Sequence, residues 1–135
     1  MEKIKFKIKN ADDIYRVVGQ IIQASQQWEQ DYREYALRVG VEIEKHDIAT
    51  LRRVNGALKE KGIISERDYN NLNRVIHLRN YVNHEFFIQD FHRDYEWIEE
   101  ELSEILFYVY EAVDLVANMT EKLEGSDVLR QTVFD

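Results

Sequence analysis

Cysteine and proline are both missing from this chain of 135 residues, and glycine occurs only five times. Without cysteine there is no disulfide and no thiolate-ligated zinc, and the composition fits a reducing compartment. Without proline, and with so little glycine, little interrupts long helices. Long apolar runs are missing too. The longest, Ile105 to Tyr110, falls far short of the roughly 20 residues that span a bilayer. The opening residues Met1-Glu2-Lys3-Ile4-Lys5 lack the apolar stretch of a signal peptide. A cytoplasmic protein with no membrane association is the expectation. Positive charge is also scarce. A formal net charge of -8 argues against broad electrostatic binding of nucleic acid, which depends on lysine and arginine neutralising phosphates. It leaves room for a small basic cleft on an acidic body. From Arg74 to Arg93 the chain carries Arg74, His77, Arg79, His84, His92 and Arg93 against only Glu85 and Asp90, while Glu96 to Glu104 hold much of the acidic excess.

The length fits one domain, residues 1–135, large enough for a hydrophobic core. Residues 3–9 alternate lysine with Ile4, Phe6 and Ile8, a period-two pattern that predicts a short amino-terminal β-strand in a 1–9 extension. Its one candidate partner is the 126–135 tail, around Val128 to Phe134. Helical periods fill the rest. A first helix is predicted from about Ala11 to Val39, capped by Asn10 and ended by Gly40. Its inward stripe is Ile14, Val18, Ile21, Ser25, Trp28, Tyr32, Tyr35 and Val39. Asp47 is the expected cap of a second helix over about 48–61, with Ile48, Leu51, Val54 and Leu58 inward and Gly62 as terminator. Ser65, with Asp68 three residues on, opens a third helix that ends near His84 to Phe87. A fourth runs from about Asp90 to Leu123, its seam formed by Ile98, Leu102, Ile105, Val109, Ala112, Val116, Met119 and Leu123 and widened by Leu106 and Val113. The sequence thus predicts an all-α fold, an antiparallel bundle of four to five helices.

Candidate chemistry is concentrated in the third helix. There is no glycine-rich phosphate loop, no G-x-S-x-G elbow and no His-Glu-x-x-His. Glu42, Glu44, His46 and Asp47 read as a solvated turn ahead of a helix cap rather than a metal loop, and no metal or cofactor is expected. Trp28 and Trp97 fall at helical spacing, as core or interface residues do. The heptapeptide Leu78-Arg79-Asn80-Tyr81-Val82-Asn83-His84 is different. Leu72, Val75, Val82 and Phe86 form one apolar stripe, and Arg79 stands in the middle of it. Burying an unpaired guanidinium is costly, so Arg79 either has a buried carboxylate partner, on the first or fourth helix, or lines a polar site. His77, Asn80, Tyr81 and His84 share a polar face beside that stripe. On a regular helix Arg79 and His84 are turned apart by about 140°. Either the helix frays or tightens near Asn83, or two copies meet about a dimer axis, if both groups are to reach one substrate. A histidine that moves a proton near neutral pH and an arginine that binds phosphate bidentately suit phosphodiester cleavage. For RNA such a set activates the 2′-hydroxyl without a metal.

Residues 62–86, with Leu78-Arg79-Asn80 and His84 and the preceding Gly62, Ser65 and Leu72, resemble the third-helix segment of HEPN domains. The signature of those small helical bundles is arginine, four to six residues, then histidine, often with a polar residue after the arginine. The resemblance covers about 25 residues. It implies a metal-independent endoribonuclease of toxin–antitoxin, phage-defence or RNA-processing systems, acting as a homodimer with a composite site. Arg79 and His84 would be its catalytic pair and Asn80 the supporting polar residue. Arg74, His77 and Asn83 would bind substrate RNA, and a cognate antitoxin protein would be a partner. It would also place the Arg79 seam in the dimer interface. Other members of the family have lost activity and serve as binding modules for a nucleotide or a protein, which is the alternative. In the HepT-like toxin branch a tyrosine stands two residues after the histidine, where a nucleotidyltransferase modifies it. Phe86 occupies that position here, so silencing of that type is not expected.

Overall fold

A computed structural model of the chain describes residues 6–134, with side chains described from Phe6 to Glu124. The elements are α1 (Ala11–Arg38), a 3-10 turn (His46–Ile48), α2 (Leu51–Glu60), α3 (Glu66–His84), the single turn α4 (Phe86–Gln89) and α5 (Tyr95–Phe134). The all-α bundle is as the periodicity predicts.

Local chemistry sets most of the helix ends. Asn10 Oδ1 accepts from the Asp13 N–H at 3.0 Å, and Asp13 Oδ2 accepts from the Lys9 N–H at 2.8 Å, so two otherwise orphaned donors are satisfied reciprocally. At the other end Gly40 takes φ +77°, the Val41 N–H reaches the Ala36 carbonyl and the Gly40 N–H reaches Leu37. That is a Schellman cap, which favours glycine because no Cβ opposes a positive φ. Gly62, at φ +71°, closes α2 in the same way, with Ile63 bonded to Leu58 and Gly62 to Lys59. Ser65 caps α3 through the Asp68 N–H at 3.0 Å.

Four expectations are corrected. The Phe6–Asn10 segment forms no strand; instead its alternating apolar residues pack on the helices, with Ile8 in the core and the Phe6 N–H on Ser103 Oγ at 3.4 Å. Residues 1–5 of that proposed strand lie outside the described residues. The tail around Val128 offers it no partner, because α5 continues as a helix through Gly125 to Phe134; one glycine costs a helix about 1 kcal/mol and does not stop it where nothing else does. Asp47 does not cap α2. Lys45 adopts φ 54°, the 3-10 turn follows, and extended Ala49 and Thr50 re-aim the chain, so Thr50 is the cap, accepting from the Arg53 N–H at 3.3 Å. Ile48 is consequently 71% exposed instead of inward. The fourth long helix starts later than Asp90, at Tyr95, where Asp94 accepts from the Trp97 N–H at 2.8 Å.

The order of contacts gives the direction of each helix. Glu29 meets Arg79 and Tyr15 stacks on Phe87, so α1 and α3 are antiparallel. Arg74 lies over the Tyr108 ring while Asp68 shares a groove with Met119 and Lys122, so α3 and α5 are antiparallel too. Two reversals leave α1 and α5 parallel: Phe6 adjoins Ser103 and Arg38 pairs with Glu124. The short α2 packs against α1 and α3, joined to both by buried Asn55. Asn55 accepts from the Tyr32 hydroxyl at 2.7 Å and donates to the Tyr69 carbonyl at 3.1 Å. Burial pushes the Tyr32 phenol well above its ordinary pKa. The core runs along α1 and α5, from Ile14, Ile21, Trp28 and Tyr32 to Ile98, Leu102, Ile105, Val109 and Val116, each such side chain contributing roughly 1.5–3 kcal/mol.

Candidate functional site

The register of α3 places Leu72, Val75, Ile76 and Val82 in the core, with Phe86 just beyond the helix. Arg79 falls on this same face with only 17% of its side chain exposed. Its charge is met from α1. Arg79 Nη2 donates to Glu29 Oε2 at 3.2 Å and Nη1 donates to Asn80 Oδ1 at 3.1 Å. The other oxygen of Glu29 accepts from Arg33 Nη1 at 3.0 Å, and that nitrogen also reaches the Ala49 carbonyl at 3.1 Å. One carboxylate therefore bridges two guanidinium groups, leaving the trio with a net charge of +1. Arg79 Nε is buried without a hydrogen-bond partner. The carboxylate partner that the apolar seam demanded exists, and it lies within the chain, on α1. Placing the seam in a dimer interface is thereby corrected: intramolecular packing covers it, and Glu29 accounts for the arginine.

α3 is helical without interruption through His84, and the Glu85 N–H bonds the Tyr81 carbonyl at 2.8 Å. The helix neither frays nor tightens at Asn83. Arg79 and His84 stay about 140° apart around the axis and about 7.5 Å apart along it, and among the described residues no hydrogen bond joins them. The structure brings Arg79 and Asn80 together, and His77, Tyr81 and His84 along one face. His77, Asn83 and His84 are exposed and Asn80 is half-buried. Arg74, also exposed, turns toward α5, over Tyr108 at 6.0 Å from the ring centre, on the rim of a groove floored by Leu72, Val75 and Ala112. It belongs to a different surface from His84.

A second polar cluster closes the corner after His84. The Tyr81 hydroxyl donates to Asp90 Oδ2, and Arg93 Nε donates to Asp90 Oδ1 at 2.7 Å. These hydrogen bonds, Tyr81 first and Arg93 second, hold the Asp90 carboxyl below its ordinary pKa. The Tyr81 phenol is pushed well above its ordinary value, by burial first and then by the bond to Asp90. Phe86 fills the space beneath, completely buried and edge-on to Tyr81 and Phe87 at 6.3 and 5.2 Å. Phe86, two residues after His84, is thus closed to solvent as well as lacking a hydroxyl. Among the described residues no three His, Cys, Asp or Glu side chains are grouped to hold a metal ion, and no helix is long and apolar enough to cross a membrane.

Glu29, Arg33, Asp90 and Arg93 are the site residues that the sequence reading missed. Glu29 had a usable signal: it follows Trp28 at the edge of the inward stripe, with Arg33 four residues on, a spacing that pairs charges on a helix. Comparisons of this chain with protein-family models, curated proteins and solved structures found no match in any of the three.

Proposed function

We propose that the chain is a HEPN-type endoribonuclease that cleaves RNA without a metal ion, with its active site completed across a homodimer. The observation that carries this reading is the division of labour along α3. A guanidinium is fixed by Asn80 and Glu29 with donors to spare, and an exposed imidazole ends the same helix on another face. One copy does not turn the two groups toward one phosphate, whereas a second copy supplies the missing partner. In this reading the 2′-hydroxyl attacks the adjacent phosphorus as His84 takes its proton. Arg79 of the second copy stabilises the phosphoryl oxygens, and the 5′-oxygen leaves with a proton from water. The products carry a 2′,3′-cyclic phosphate and a 5′-hydroxyl.

A second reading is favoured by one observation, the ion pair between Arg79 and Glu29. A guanidinium engaged by an internal carboxylate suits a non-catalytic helical module of the same type, which binds a nucleotide or a protein partner such as an antitoxin. Incubating wild type and His84→Ala with a mixed RNA pool in EDTA separates the two. Cleavage by wild type alone, with cyclic phosphate ends, supports the enzyme. A folded dimer that leaves the RNA intact supports the module.

A further inference from the structure

The corner after His84 holds one cation whose geometry is fixed in advance. Arg93 has two restraints. Its Nε is bonded to Asp90 at 2.7 Å, and its guanidinium carbon lies over Trp97, 4.6 Å from the ring centre. Trp97 is itself anchored, half-buried at the capped start of α5, where its N–H bonds Asp94. The two members of the ion pair meet water unequally: 52% of the Arg93 side chain is exposed against 13% of Asp90. The carboxylate is tucked behind, bonded on its other oxygen by Tyr81, and the guanidinium faces out. With Nε committed, the Nη1 and Nη2 ends remain as the fork that binds a phosphate through two parallel hydrogen bonds. An arginine held over an aromatic ring and bonded at Nε has already lost much of the freedom that such a contact would otherwise cost.

The position of this fork relates it to His84. Tyr81 lies three residues before His84, on the same face of α3, where neighbours are about 5–6 Å apart. From the Tyr81 hydroxyl the connection runs through Asp90 to Arg93. We propose that Arg93 is a substrate-binding residue that grips a phosphate of single-stranded RNA next to the one cleaved at His84. This rests on the reading of the chain as a ribonuclease. Asp90 and Trp97 act as positioning residues for Arg93.

The test is binding of a fluorescently labelled single-stranded RNA whose riboses are 2′-O-methylated and so not cleavable. Affinity is followed by anisotropy across a salt series, for full-length wild type, Arg93→Ala, Arg93→Lys and Arg52→Ala. Arg52 is an exposed arginine on α2 and controls for loss of one positive charge. Arg93→Ala is expected to weaken binding about five- to tenfold and to lower the salt slope by about 0.7, the value for one phosphate contact on a single strand. Arg93→Lys keeps the charge but not the fork, so it is expected to weaken binding while retaining the slope; Arg52→Ala changes neither. Wild-type affinity and slope in Arg93→Ala, in a protein that binds and cleaves RNA, overturn the role of Arg93 and leave the ribonuclease reading standing. Absence of both RNA binding and cleavage in wild type overturns the two together.

Discussion

Replacing Glu29 by glutamine is expected to harm the fold more than removing Arg79 does. Glu29 and Arg79 are 3.2 Å apart, with 23% and 17% of their side chains exposed. Opposite charges at that distance attract by about 1.3 kcal/mol in bulk water and about 5 kcal/mol at an effective dielectric of about 20. Desolvation offsets a large part of the second figure, so a net coupling of about 1–2 kcal/mol is expected between the fully exposed and fully buried limits. The single substitutions are not symmetric. Arg79→Met keeps an apolar stem in an apolar seam, and Glu29 retains Arg33, so the cost is about 1 kcal/mol or less. Glu29→Gln removes the carboxylate from both guanidinium groups and leaves them as like-charged neighbours, at a cost of about 2–3 kcal/mol. Urea denaturation of wild type, the two single variants and the double variant closes the cycle. Equal losses from the two singles, or a coupling of only a few tenths of a kcal/mol, would refute the shared-carboxylate account.

Two other predictions concern the ends of elements. Thr50→Ala is expected to lower stability by about 1 kcal/mol through the lost cap of α2, while Asp47→Ala leaves the urea midpoint nearly unchanged; the reverse order would return the helix start to Asp47. Asp90→Asn tests the corner by pH. The folded-state pKa of Asp90 is depressed, so its ionised form stabilises the fold above the ordinary carboxylate value and that contribution fades as pH falls through the folded value. The variant is expected to be less stable than wild type at neutral pH, with the gap closing on acidification below about pH 4. Glu101, pushed up by burial first and then by neighbouring carboxylates, Asp90 among them, works in the opposite direction; comparing Asp90→Asn with wild type at each pH removes its burial part but not its coupling to Asp90. A gap that does not change with pH would remove Asp90 from the corner's electrostatics.

Much of this fold is legible in the sequence because its signals are local. Asn10 and Ser65 cap the helices that their spacing predicts, Gly40 and Gly62 end theirs, and the α1 and α5 seams from Ile14 to Tyr35 and from Ile98 to Val116 are buried as the period requires. What was not legible depended on contacts between distant segments or on competition between neighbouring signals. The alternation of Phe6 and Ile8 satisfies a strand or an extended segment lying on helices equally well, and only the packing against Ser103 decides. Asp47 and Thr50 are both good caps three residues apart, and the left-handed Lys45 settles the choice. The seam around Arg79 called for a counter-charge, but nothing near it in the chain says that Glu29, fifty residues earlier, supplies it. Of the candidate site, the exposed His77–His84 face could be read from spacing, while the Arg79–Asn80 hydrogen bond and the assignment of Arg74 to the α3–α5 groove could not.

The most direct test of a site shared between two copies is complementation. Arg79→Ala and His84→Ala chains, each inactive alone, are mixed, exchanged and assayed on RNA in EDTA. If Arg79 of one copy works with His84 of the other, half of the dimers are mixed and each has one intact site, so activity should return to about a quarter of the wild-type level. A mixture that exchanges subunits, as shown by mass-tagged chains, yet stays as inactive as its components would contradict the composite site.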